Sequence, residues 1–132
     1  MGLFPGSVAS EEALIPNVTK ITTTDATATV IWDQVVPANT TMVVELTLVG
    51  RTATSTTIGA WTRTYVYDRL NTGNVEVATA SVAWDESYYS NSLTIAGPTQ
   101  AVNTATQKAQ LKVTGLAGTT IYWKAYTRVV VI

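Results

Sequence analysis

Apolar and polar residues alternate one by one along two long segments of the chain. In residues 41–52, the apolar side chains that share one side of an extended backbone are Met42, Val44, Leu46 and Leu48. Residues 119–131 alternate in the same way, and one side consists of Ile121, Trp123, Ala125, Thr127, Val129 and Val131. A period of two residues is typical of a β-strand with one buried and one wet face, so both segments are predicted to be strands.

Shorter segments predict the remaining strands, at residues 18–24, 27–35, 58–70, 75–83, 92–96 and 108–114. The turn-rich residues 71–74 predict a β-hairpin between two of them, and the glycine-framed residues 115–118 predict a second hairpin before the last strand. The pattern as a whole predicts an all-β fold, a two-sheet antiparallel β-sandwich of about eight strands. Whether it is jelly-roll or immunoglobulin-like stays open, because long-range pairing sets the strand order.

The first 17 residues differ from the rest of the chain. They contain two prolines and a possible one-turn helix from Ser10 to Leu14, so we divide the chain into an N-terminal arm, 1–17, and a sandwich domain, 18–132. The arm has four large apolar side chains that would be costly to expose: Leu3, Phe4, Leu14 and Ile15. We expect these four to bind another protein, and the alternative is that the arm folds back over an open end of the sandwich.

Length and charge narrow the class of protein. A chain of 132 residues fits one domain, and no run approaches the roughly 20 apolar residues that cross a bilayer. Eight basic and nine acidic residues are spread along the chain for a net charge of −1, so we expect no binding to nucleic acid or membranes. The N-terminus lacks the basic and apolar regions of a signal peptide, so we expect the protein to be made and used without export.

The residue types also restrict the chemistry. The chain has no His and no Cys, which excludes imidazole catalysis, thiol nucleophiles and most zinc sites. Calcium would need clustered oxygen ligands, and only Asp68, Asn71 and Asn74 come close, without a bidentate Glu. We therefore expect no metal, no cofactor and no enzymatic activity.

Aromatic residues suggest where a ligand could stack. The candidate platform consists of Trp61, Tyr65, Trp84, Tyr88 and Tyr89. The alternatives are that the first two pack across strands and that residues 84–89 form a loop capping the sandwich edge, and we favour both. An enzyme would remain possible only if Asp85 or Glu86 faced Asp68 or Asp33 across a cleft of about 5 to 9 Å, as in glycosidases.

The C-terminal segment also carries a family resemblance. Gly115-Leu116-Ala117-Gly118, followed by Trp123-Lys124-Ala125, resembles the closing hairpin of a β-sandwich module of tailed-phage structural proteins. The strand that ends at Arg51 and the strand containing Trp61 are similar to earlier strands of that module, so the resemblance spans roughly residues 40–130.

The resemblance implies a structural or adhesive role and nominates no catalytic residue. Such modules serve as head decoration proteins and as terminal domains of tail fibres or spikes. Because the chain starts at its own Met with only a short arm, we expect a stand-alone capsid decoration (cement) subunit on the virion surface. Its expected partners are the major capsid protein and further copies of itself, as a trimer or dimer. The alternative is a tail-fibre or carbohydrate-binding module.

Overall fold

A computed structural model describes residues 17–53, 57–78, 85–88 and 95–132, with only the backbone described for residues 57, 58 and 85–88. These residues form nine strands: β1 (Asn17–Thr23), β2 (Ala28–Val35), β3 (Thr40–Thr52), β4 (Thr57–Arg69), β5 (Val75–Val77), β6 (Asp85–Tyr88), β7 (Thr99–Asn103), β8 (Lys108–Thr114) and β9 (Ile121–Val131). The predicted all-β class is confirmed. Within these ranges no helix is long and apolar enough to cross a membrane.

The strands form two antiparallel sheets. The larger sheet has the order β1-β9-β3-β4-β5, and β6 pairs with β4 beyond the end of β5. The smaller sheet has the order β2-β8-β7. Because β1 pairs with β9 while β2 pairs with β8, a two-stranded ribbon passes from one sheet to the other. The predicted two-sheet sandwich is confirmed.

The core lies between the sheets and is made by the predicted alternation. On β3 the four apolar residues of the first pattern are fully buried, and on β9 the residues from Ile121 to Thr127 alternate between buried and exposed. Trp61 and Trp123 pack with ring centroids 6.1 Å apart, and Trp32 of the smaller sheet packs at 6.5 Å from Tyr67 of the larger sheet. Large aromatic side chains thus fill the centre, which is the main source of hydrophobic stabilisation.

Two glycines make room for the tryptophan pair. Gly50 and Gly59 are direct cross-strand partners on β3 and β4. A Cβ atom at Gly50 would lie 2.8 Å from the ring of Trp123, and one at Gly59 would clash with the ring of Trp61. The absence of a side chain at both positions therefore lets the indole rings lie flat against the sheet.

Polar side chains tie the two sheets together at the β4 and β5 side. Tyr67 donates a 2.6 Å hydrogen bond to the carbonyl of Gln110 on β8, and burial raises the pKa of its phenol above the usual value. Arg69 donates to the carbonyl of Val36 at 2.9 Å. The side chain of Gln107 accepts from the backbone of Val75 at 2.8 Å. These bonds close the sandwich where the sheets would otherwise separate.

Three predictions are wrong or concern residues that lie partly outside the described ranges. Residues 115–118 do not form a hairpin, because β8 lies in the smaller sheet and β9 lies in the larger one. Residues 85–88 form strand β6 instead of a loop, and β7 was not predicted. Of the predicted strand 92–96, Ile95 and Ala96 are not in a strand and the rest lies outside the described residues.

Candidate binding surface

Two of the aromatic residues proposed as a stacking platform lie in the core. Trp61 and Tyr65 are 1% and 2% exposed, so no ligand can reach their ring faces and the predicted stacking role is wrong for both. Their alternation on β4 points them into the core, where Tyr65 donates to the carbonyl of Pro98 at 3.3 Å. The backbone of Tyr88 pairs with Ala60 at the sheet edge.

The other proposed contact residues lie outside the described part of the chain. These are the arm residues Leu3, Phe4, Leu14 and Ile15, together with Trp84 and Tyr89 and the side chain of Tyr88. The proposed arm, residues 1–17, overlaps the description only at Asn17, which is the first residue of β1. The roles assigned to these residues stay predictions.

The carboxylate arrangement required for glycoside cleavage is not formed by Asp68 or Asp33. Asp85 and Glu86 lie opposite Arg63 and Thr62 on β4, five or six residues along the strand from Asp68, which corresponds to about 17 to 20 Å. Asp33 lies in the smaller sheet and binds Lys108 at 3.6 Å. The distance from Asp68 exceeds the cleft that two cooperating carboxylates need, and the carboxylate of Asp33 is paired with Lys108 instead.

The candidate calcium ligands are also engaged elsewhere. A carboxylate oxygen of Asp68 accepts a hydrogen bond from the hydroxyl of Thr41 at 2.7 Å, and the amide oxygen of Asn74 accepts from Gln107 at 2.8 Å. In the part of the chain that the structure describes, no three Asp or Glu residues group as metal ligands do.

Among the residues that the structure describes, exposed aromatic side chains lie on the outer face of the larger sheet. The alternation of β9 that buries Trp123 turns Tyr122 and Tyr126 outward, and these are 41% and 39% exposed. The next outward residues of the same strand are Lys124 and Arg128. Tyrosine and basic residues therefore alternate along the exposed side of a single strand.

The strands on both sides of β9 add further cations. Lys20 of β1 lies directly opposite Lys124, and Arg51 of β3 lies directly opposite Tyr122. We call this surface the cationic face, defined by Lys20, Arg51, Tyr122, Lys124, Tyr126 and Arg128. Four of the eight basic residues of the chain thus share one face, although they are dispersed along the sequence.

Both tyrosine rings interact with a cation. The guanidinium carbon of Arg51 lies 5.4 Å from the centroid of the Tyr122 ring, and the ammonium of Lys124 lies 5.2 Å from that of Tyr126. Such contacts are worth about 0.5 to 1 kcal/mol at exposed sites. They hold each cation over the ring of its tyrosine, close to the sheet.

An ion pair lies at the end of the cationic face that is distant from Tyr122. Arg128 approaches Glu45 at 3.9 Å, and both side chains are at least half exposed, so this contact is weak. Lys20 and Lys124 are directly paired on the adjacent strands β1 and β9. Neither makes an ion pair with a described carboxylate. The ammonium groups of Lys20 and Lys124 therefore add positive charge to the surface near Tyr122.

A shallow cavity lies at the same place. It has a volume of about 560 Å³ and is lined by Lys20, Ile21, Thr22, Val49, Arg51, Tyr122, Trp123 and Lys124. The lining combines apolar surface with three cations, which is the composition of a site for a ligand with an apolar face and a negative charge. Sequence reasoning missed this site because its residues come from both ends and the middle of the chain.

Comparison with known proteins gives one structural similarity. No protein-family model matches the chain, and no curated protein matches it. The crystal structure of the Acinetobacter baumannii phage AM24 tailspike protein is similar over 92% of this chain, with 12% sequence identity and a TM-score of 0.48. The chain covers 27% of that tailspike chain. Similarity at this level supports no conclusion about function, so the resemblance to phage structural proteins stays a prediction.

Proposed function

We propose that this chain is a non-enzymatic structural protein of a phage virion, and specifically a capsid decoration subunit. The observation that carries the proposal is the two-sheet β-sandwich that the sequence predicts for such a module, with its sheets braced by internal polar side chains. Arg63 and Tyr65 donate to the carbonyl of Pro98, and Tyr67 donates to that of Gln110. Because these groups brace the sandwich from inside, contacts with other molecules would use its outer surfaces.

The sequence supports the finer assignment to the capsid. The Gly115–Gly118 and Trp123–Ala125 pattern resembles modules of tailed-phage structural proteins, and the four apolar residues of the arm are suited to bridging neighbouring capsid subunits. Contacts through an arm and through the base of the sandwich would add by multivalency. Further copies of the chain, as a trimer or dimer, would strengthen this attachment.

A capsid-binding experiment tests the proposal. The full chain is mixed with empty capsids of the phage whose genome encodes it, and bound copies are counted after co-sedimentation. Decoration predicts a fixed ratio to the major capsid protein, and a variant without residues 1–15 is expected to stay in the supernatant. Unchanged binding of the truncated chain would contradict the role of the arm. Failure of the full chain to bind capsids would exclude decoration.

The second candidate is a tail-fibre or carbohydrate-binding module. Loss of Trp61 and Tyr65 to the core removes part of the platform first assigned to it, but the exposed Tyr122 and Tyr126 supply another. Immunogold labelling of purified virions separates the two candidates. Label over the head supports decoration, and label confined to the tail supports the second candidate.

A further inference from the structure

We propose that the cavity on the cationic face binds an acidic saccharide, with the part of the Tyr122 ring that Arg51 leaves exposed against the sugar and Lys20, Arg51 and Lys124 around its carboxylate. This inference goes beyond virion assembly, because it does not depend on where the protein is attached. It rests on the charges, the cavity and the exposed ring of the described residues.

Lys20 and Lys124 carry like charges at directly opposite positions of neighbouring strands. Directly paired residues of antiparallel strands have Cα atoms only about 4.5 to 5.5 Å apart, and like charges at such positions destabilise the sheet. A lysine on an edge strand commonly prevents edge-to-edge aggregation, which accounts for Lys20 on β1. It does not account for Lys124, because β9 lies between β1 and β3. A bound anion would relieve the repulsion between the two ammonium groups.

The lining of the cavity points to a sugar instead of a small inorganic anion. A volume of about 560 Å³ lies within the range of small-molecule sites, which is about 300 to 1,000 Å³. The side chains of Val49 and Tyr122 provide apolar contact that a bare anion would not use. A pyranose ring has an apolar C–H face that packs on tyrosine, and a carboxylate on that ring would reach the surrounding cations.

Charge argues against two other occupants. A second copy bound through the same face by two-fold symmetry would bring like charges together, so the cationic face is unsuited to self-association. Nucleic acid needs a strongly positive field, whereas this chain has a net charge of −1 and a pI of about 5.2. A compact anion on a short sugar chain needs only the local cluster.

Affinity electrophoresis tests the inference. The full chain is run in native gels that contain polygalacturonate, polysialic acid or hyaluronan, and in a matched gel that contains fully methyl-esterified polygalacturonate. We expect retardation by at least one acidic polysaccharide and none by the neutral ester. Absence of retardation by all three acidic polysaccharides, or equal retardation by the ester, would overturn the proposal.

Two matched variants assign the effect to the cavity. Lys20→Gln/Lys124→Gln is expected to bind about tenfold more weakly or worse, because two charged contacts are lost. Lys108→Gln/Lys112→Gln makes the same change in net charge on the outer face of the smaller sheet and is expected to bind like the unmodified chain. Equal loss in both variants would reduce the interaction to general electrostatics and overturn the assignment.

The ring and the rival ligand are tested in the same gels. Tyr122→Phe keeps the stacking ring and is expected to bind normally, whereas Tyr122→Ala is expected to bind more weakly. A gel containing single-stranded DNA provides the competing class of macromolecule. Stronger retardation by DNA, with the same dependence on Lys20 and Lys124, would replace the saccharide by nucleic acid. Melting temperatures confirm that each variant is folded.

Discussion

The two faces of the larger sheet use the same strands for opposite purposes. On β9 the inward residue Trp123 is 2% exposed and donates a 2.9 Å hydrogen bond to Thr23, whereas its outward neighbour Tyr122 is 41% exposed. The inner face combines large rings and glycines with the buried bond between Trp123 and Thr23. The outer face combines exposed rings with like charges that oppose each other. The difference indicates that the inner face stabilises the fold and the outer face is available for binding.

Truncation of adjacent residues on the two faces of β9 has the largest expected effect on stability. Trp123→Ala is expected to reduce the free energy of unfolding by about 3 to 5 kcal/mol, because it leaves a cavity beside Trp61 and removes the bond to Thr23. Tyr122→Ala is expected to cost about 1 kcal/mol or less. Urea denaturation measures both. Equal losses would show that the two faces contribute alike to stability.

A glycine substitution tests the packing of the inner face with a smaller effect. Gly50→Ala is expected to cost about 1 to 3 kcal/mol, since the added Cβ would lie 2.8 Å from the ring of Trp123. Gly73→Ala is the control, because a Cβ there would meet Leu70 at an ordinary 3.5 Å. Thermal unfolding compares the two. A Gly50→Ala protein as stable as the control would contradict the tight packing described here.

The buried phenol of Tyr67 predicts a dependence on alkaline pH. Burial raises its pKa in the folded protein, whereas in the unfolded chain it ionises near pH 10. Its contribution to stability is therefore complete below about pH 10 and is lost as the pH rises toward the folded pKa. Tyr67→Phe is expected to cost about 1 kcal/mol at neutral pH through loss of the bond to Gln110.

The same variant provides the internal control for that pH dependence. Between about pH 9 and 11, the unmodified protein is expected to lose more stability than Tyr67→Phe. Denaturant titrations at several pH values measure the difference. Parallel pH profiles for the two proteins would contradict the buried, neutral state of this phenol.

The smallest expected effect is a gain in stability on the outer face. Lys20→Glu replaces a like-charge pair with an opposite-charge pair across from Lys124 and is expected to stabilise the fold by about 0.2 to 1 kcal/mol. The gain should shrink in about 1 M salt, where charges are screened beyond roughly 3 Å. Urea midpoints at both salt concentrations measure it. A destabilised Lys20→Glu protein would show that the two lysines do not repel each other.

Local alternation predicted most of the strands but not how they are joined. The pattern is strong on β3 and on β9 as far as Thr127, where one side is buried, but Val131 on the same side of β9 is 44% exposed. Strand β8 was predicted at residues 108–114, as observed. Strands β6 and β7 were missed because their short sequences are mostly polar. The turn at residues 115–118 predicts a hairpin because a glycine-rich connection has a similar sequence in two cases. The next strand can pair with its neighbour or cross to the other sheet.

The candidate site could not be predicted for a related reason. Lys20 and Lys124 lie near opposite ends of the chain and meet only because β9 is inserted between β1 and β3. Charges that look dispersed in sequence are concentrated by this pairing. Trp61 and Tyr65 show the converse, since their side of β4 could form a ligand platform or, as the sequence favoured, pack between strands, and only the opposing sheet decides between the two.

The most direct test of the claim that the cationic face is a binding surface is an NMR titration. ¹⁵N-labelled full chain is titrated with an oligosaccharide of the acidic polysaccharide that retards it most strongly in the gels. We expect the amide chemical shifts of residues around Lys20, Arg51 and Lys124 to change, and those of β8 to stay unchanged. Changes confined to the smaller sheet, or a spectrum unaffected at saturating oligosaccharide, would contradict it.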